Sequence, residues 1–395
     1  MNPTNLSTNE KTSEKLPKAS LFALFFSGFV SLLTEALPAG LLPEMSRSLH
    51  ITASLTGQTV TIYALATALG AIPLARLTAT WSRKRVVQTA LAIVFIADLL
   101  TAFSPFFVLT LLIRFIAGLG TAMIWPILGG YASSISPEAS QGKAVALALA
   151  GNPVGLALGI PMGAALGKML DWQLVFLIAA GLVLLNFLWN FHFLIDVAGR
   201  KPEHQSKLGE TFAIRGFKPI LFALSTYMVA HNIVYTYITD YLGRIHLENQ
   251  ASLILFTFGV ASILSVLLVG SLIDRYVRRL TLLSASLLAF AMLLLSVFTE
   301  SPFVIYLASG LWGLVFGSSA SLFIHSAIRA TGKHADMAQA LVVTAFSGSI
   351  SIGAFSGGLL ISLFGTLSIS WAAFALLILS ALTVFFGKKF AFPVK

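Results

Sequence analysis

Four ionisable side chains lie where an apolar chain least tolerates charge. Glu35, Asp98, Arg114 and His231 each fall inside a long, mainly apolar run, and about 20 such residues suffice to cross a membrane as a helix. A charge at the bilayer centre costs at least about 2.5–3.5 kcal/mol, so such residues find a partner or a wet cavity and mark ion, proton or substrate paths. A carboxylate beside a guanidinium can exchange its ion pair for a proton, which is coupling chemistry. At a rise of about 1.5 Å per residue, Glu35 lies about 20 Å into its run, and Arg114 about 12 Å into one entered from the opposite side. Across a core about 30 Å thick both reach similar depth, so a pair is feasible. Protonating Glu35 would weaken that pair, and substrate could compete for the same place. Further along, His231 is followed by Asn232, Tyr235 and Tyr237. Histidine changes charge near neutral pH and both donates and accepts hydrogen bonds, so this group suits a polar substrate or a proton. It suits a satisfied interhelical hydrogen bond equally well.

The elements that carry these residues are helices in lipid. The chain is 57% hydrophobic and 10% charged, with a mean hydropathy of +0.89, against roughly 25% charged for soluble domains. Twelve apolar runs predict an all-α membrane protein: 21–42, 55–74, 86–103, 106–128, 144–166 and 174–194, then 219–241, 252–272, 280–298, 303–325, 337–364 and 367–386. The polar leader 1–20 precedes a run too long for a cleavable signal core, so that run is expected to stay as the first span. Of the 25 lysines and arginines, Arg47, Lys168 and Arg244 fall in loops on one side and Arg114 lies within a span; the others share the side of the N-terminus. This bias places both termini in the cytoplasm. It also explains the net charge of +10 without nucleic acid, because the basic residues sit in short loops rather than on one polar face. There is no cysteine, which excludes disulfides and thiolate chemistry. Trp125 and Pro126 are either a kink in the fourth span or an interface anchor.

The chain repeats itself. The basic turn from Ala75 to Arg85 and that from Gly270 to Arg279 begin 195 residues apart, and the same offset carries Gly118 to Gly313 and Gly163 to Gly358. His231 is one residue off that offset from Glu35. The reading is two six-helix bundles, 21–194 and 219–387, joined by a cytoplasmic linker, 195–218, with tails 1–20 and 388–395. Duplicated bundles of this kind point to a transporter. Gly155, Gly159, Gly163 and Gly167 recur every four residues, a small-residue stripe that fits helix packing and equally fits gating.

On these residues the chain resembles the major facilitator superfamily, in particular its twelve-span drug:proton antiporter branch, which includes bacterial sugar and purine efflux transporters. Gly270, Leu272, Asp274, Arg275, Arg278 and Arg279 match that family's signature turn, whereas the first-half copy keeps Leu77, Arg83 and Lys84 but has Ala75, Ala79, Thr80 and Ser82 at the other signature positions. The resemblance implies gating roles for Arg83, Lys84, Gly270, Asp274 and Arg275, and for Gly155, Gly159, Pro161 and Gly163, which are similar to the branch's antiporter element. Arg114 followed by Gly118 and Gly120 is similar to the element associated with proton coupling, and Thr34–Glu35 to the segment opening many efflux members. The family's third span is less central, so Asp98 is expected to pack or snorkel.

The motifs exclude other engines. No phosphate-binding Gly-rich loop with Lys and Ser or Thr is present, so ATP is not the expected energy source. Neither a zinc-binding His-Glu-x-x-His nor a Gly-x-Ser-x-Gly elbow occurs, and an enzyme is not expected. The function expected is secondary transport without a cofactor or metal: proton-coupled efflux of a small polar or amphipathic molecule by a monomer in a bacterial inner membrane. Glu35, Arg114, His231, Asn232 and Tyr235 are the expected substrate cavity, with Glu35 and Arg114 coupling the proton. An importer or facilitator of the same fold is the alternative, since no local pattern encodes direction.

Overall fold

Backbone polar groups have no water to bond in a bilayer, so an apolar chain of this kind must satisfy them within helices. The computed structural model describes residues 16–137, 140–199, 208–270, 272–332 and 335–392, and these contain helices and no strand. The first group comprises α1 (Lys18–Gly40), α2 (Leu42–Ser48), α3 (Ala53–Leu77), α4 (Arg83–Ala102), α5 (Phe107–Ile124), α6 (Leu128–Ser134), α7 (Gln141–Leu149), α8 (Gly151–Gly167) and α9 (Trp172–Phe193). The short α10 (Leu208–Ala213) follows. The second group comprises α11 (Phe217–Thr236), α12 (Ile238–Arg244), α13 (Ala251–Gly270), α14 (Ile273–Val297), α15 (Pro302–Phe316), α16 (Ser319–Thr331), α17 (Ala335–Phe364) and α18 (Ser368–Phe386).

Eleven helical stretches among the described residues are long and apolar enough to cross a membrane. At 20 residues, α11 occupies the place of the remaining expected span, its apolar character diluted by Tyr227, His231, Asn232 and Tyr235. Of the two readings of Trp125 and Pro126, a break in the fourth span is what forms: α5 ends at Ile124 and α6 starts at Leu128, because proline removes a helical donor and clashes with the preceding turn. Leu69, Leu112, Phe303 and Leu363 are among the large apolar side chains left exposed, as a lipid-facing surface requires.

Within the first group α1 packs on α8, α3 on α5, and α4 on α5 and α9; within the second, α11 packs on α17 and α18, α13 on α15, and α14 on α18. The 195-residue repeat holds at the level of single atoms. A Cβ on Gly118 would collide with Tyr63 O and lie 2.9 Å from Ala66 Cβ; a Cβ on Gly313 would collide with Phe258 O and lie 3.0 Å from Ala261 Cβ. Tyr63 and Phe258, like Ala66 and Ala261, are again 195 residues apart. Only glycine lets the two backbones meet this closely.

The groups meet along α3 with α17 and α8 with α13, and one end of this contact is sealed. At the end opposite the start of α1, Thr239 Oγ1 donates to Ala39 O at 2.8 Å and Ser54 Oγ to Gly358 O at 2.7 Å. Tyr237 donates to Ala354 O at 2.9 Å and Ser54 O at 3.3 Å, and its hydroxyl fills the space a Cβ on Gly57 or Gly358 would take. Lys168 Nζ donates to Glu248 O at the same end.

Candidate functional site

Pro38 lies within α1. Without an N–H it cannot bond the carbonyl four residues earlier, that of Thr34. Arg114, on α5, takes that place: its Nη2 donates to Thr34 O at 2.9 Å and to Glu35 O at 3.4 Å. Its guanidinium carbon stands 4.4 Å from the Tyr63 ring centroid on α3 and 5.7 Å from that of Phe176 on α9, close enough for attraction to the ring faces. Asp98, on α4, completes the cluster. Its Oδ1 lies 3.7 Å from Arg114 Nη1 with both side chains 0% exposed, and Thr34 Oγ1 donates to its Oδ2 at 2.8 Å. Five helices therefore converge on one guanidinium.

The cluster differs from the expectation in two ways. Asp98 neither snorkels nor packs inertly; it is the ion-pair partner of Arg114, because its face of α4 packs against α5 and gives the carboxylate no route to the interface. The Glu35 side chain, 5% exposed, makes no ion pair with Arg114 and is joined to it through its backbone carbonyl. Among the described residues Asp98 Oδ1 and Arg114 Nη1 and Nε make no hydrogen bond, so the charges are neutralised by proximity while part of their bonding capacity is unused. All of its residues come from the first helix group.

His231 occupies the related place in the second group and has a different environment. Its Nδ1 accepts from Trp312 Nε1 at 2.9 Å, and its ring stacks on Phe316 at 3.5 Å and on Tyr235 at 4.8 Å between centroids. Phe258 closes the same cluster. Asn232 Nδ2 donates to Met228 O at 2.8 Å, and Asn232 Cβ lies 2.7 Å from where a Cβ on Gly353 would be. His231 and Asn232 make these contacts within the second group. A groove of about 1140 Å³ lies elsewhere, at the rim, among Glu44, Arg47, Lys168 and Asp171.

The gating candidates also separate by half. Lys84 Nζ donates to Phe191 O at 2.9 Å and Arg83 N to Val197 O at 2.8 Å, fastening the first basic turn to the end of α9 in its own group. The second turn spans the end of α13 at Gly270 and the start of α14, where Tyr276 has non-helical backbone angles. Arg275 stands 5.3 Å from the Tyr276 ring. The Asp274 side chain lies outside what the structure describes. Gly155, Gly159 and Gly163 face α1, the last two at 3.6 Å from Ala36 Cβ and 3.2 Å from Leu37 O if given a Cβ. Pro161, inside α8, frees the carbonyl of Ala157, and a Cβ on Gly259 of α13 would lie 2.6 Å from that oxygen.

The residue reading missed Asp98 as a partner, Tyr63 as the aromatic platform and Tyr237 as the seal. One signal was present: a proline four residues after Thr34 in an otherwise regular helix marks an open carbonyl that some donor must satisfy.

Comparison with known proteins fits this architecture. A probable sugar efflux transporter of Helicobacter acinonychis is 26% identical over 356 residues, covering 89% of each chain. A chloramphenicol efflux pump of Mycobacterium tuberculosis is 28% identical over 358 residues, covering 86% of this chain and 85% of the pump. Among solved structures, a D-xylose–proton symporter superposes with a TM-score of 0.78 at 15% identity over 95% of this chain and 98% of its own. A human organic anion transporter gives 0.72 at 14% identity, covering 94% and 100%. These two share the fold. The sequence profile of the Major Facilitator Superfamily matches residues 24–335 and 220–391, and with that match across most of its length the chain belongs to the major facilitator superfamily: it is an integral, multi-pass secondary transporter.

Proposed function

We propose that this transporter exports a small polar or amphipathic molecule, of the sugar, nucleoside or drug class, in exchange for protons. The observation that carries the reading is a fully buried guanidinium shared by Asp98 and the Thr34–Glu35 segment, since charge of this kind is kept inside a membrane bundle at a cost that function must justify. The efflux names borne by relatives of about this similarity support the direction. With both termini cytoplasmic, as the basic loops favour, the Tyr237 seal bars the outer face, and export requires it to leave Ser54 and the Gly57 and Gly358 positions. Glu35 and Arg114 couple the proton, and the second basic turn, Asp274 included, latches the inner face. His231, Asn232 and Tyr235 form a packed wall in this conformation. The protein works as a monomer in a bacterial inner membrane.

The test is transport into inverted membrane vesicles of a panel of sugars, nucleosides and lipophilic drugs, with and without an imposed pH gradient. Accumulation of a panel member only when the gradient is present is the expected result. Equilibration without regard to the gradient identifies a facilitator, and accumulation in the reverse sense an importer.

A further inference from the structure

The Arg114 cluster contains two carboxylates and one guanidinium. Glu35, on α1, is 5% exposed, and Asp98 and Arg114 are 0% exposed. With all three ionised the cluster carries one net negative charge. An uncompensated charge in a sealed apolar interior costs several kcal/mol, which a bound proton avoids. Among the described side chains, the neighbouring elements offer no other compensation. From α3 the facing group is Tyr63, whose ring lies against the guanidinium. The α8 segment has no titratable side chain, and on α9 His192 lies at the exposed terminal end. Tyr131 of α6 donates to Ile195 O, beyond the end of α9. At the sealed end Glu44 of α2 pairs with Arg47, and Asp240 of α12 accepts from Thr366. On α11, His231 Nδ1 is occupied by Trp312 Nε1–H.

We propose that Asp98 is the second carboxylate of a single titrating unit with Glu35 and Arg114, and that this unit holds one proton whenever it is closed off from water. Thr34 makes the sharing physical. Its carbonyl accepts from Arg114 and its hydroxyl donates to Asp98, so a shift of α1 at Glu35 moves both partners of the ion pair. Asp98 acts here as a positioning residue: it keeps Arg114 neutralised when Glu35 is protonated, and Arg114 turns to Glu35 when the proton leaves. On the proton-coupled reading above, this fixes the exchange at one proton per cycle; the proton count itself does not depend on that reading.

Infrared titration of the purified full-length protein in lipid counts protonated carboxyl groups through their C=O stretch, without any substrate. The expected result is one carboxyl band in the wild type that is absent from both Asp98→Asn and Glu35→Gln, because each variant leaves one carboxylate to balance Arg114. Asp98→Glu retains it. A band that survives unchanged in folded Asp98→Asn overturns the proposal, as does a wild type that differs from Glu35→Gln by no carboxyl or by two, a count that holds even if Asp98→Asn does not fold. A single band lost as expected in a protein that shows no pH-driven transport upholds the unit and refutes the coupled function.

Discussion

The two halves of this molecule share one scaffold and fill it differently. Gly118 brings α5 onto Tyr63 as Gly313 brings α15 onto Phe258, but the space beside the first contact holds Glu35, Asp98 and Arg114, and the space beside the second holds His231, Trp312, Tyr235 and Phe316. The first is a set of charges with unused bonding capacity; the second is a set of stacked rings in which Trp312 donates to His231. A duplicated bundle needs its charge chemistry only once. On the proposed proton-coupled reading, the half that holds it moves protons, and the other serves as a rigid body against which the first rocks.

Four substitutions sharpen or break this contrast. Arg114→Leu leaves two buried carboxylates facing each other without a counter-charge, and loss of one partner of a buried pair costs about 3–5 kcal/mol. Thermal unfolding in detergent should show the largest fall in stability of the set, and a fall no larger than that of a surface substitution would mean that the cluster is hydrated. Gly118→Ala and Gly313→Ala test the shared scaffold. Each forces a methyl onto a backbone carbonyl, a clash of about 1–3 kcal/mol, and the two melting shifts should be similar; a shift in one half alone would break the equivalence. Trp312→Phe removes the donor to His231 Nδ1 for about 1 kcal/mol. Melting should register it while the pH dependence of transport stays as in the wild type, and a moved pH profile would place proton chemistry in the second half too.

Much of the fold could be read because membrane helices must be long and apolar, and because the 195-residue repeat sets the same glycine contacts in both groups. The span that stood out least, α11, is the one that carries Tyr227, His231, Asn232 and Tyr235, polar groups whose partners lie on other helices. For the same reason the site was half legible. Glu35 and Arg114 are conspicuous as charges in apolar runs, but the partner of Arg114 depends on which face of α4 meets α5, and nothing local to Asp98 encodes that. Pro38 was readable in principle, since its effect on Thr34 O is fixed by helix geometry. Tyr237 was not, because its place is made by glycines some 180 residues before it and 120 after, flanking backbones that only the fold brings together.

The central claim is that the first-half charge cluster couples transport to protons, and the most direct measurement compares wild type with Glu35→Gln in vesicles at equal expression, using a panel member that the wild type transports. The wild type should accumulate it against its gradient when a pH gradient is imposed, and Glu35→Gln should at most let it equilibrate. Undiminished pH-driven accumulation by Glu35→Gln would contradict the account.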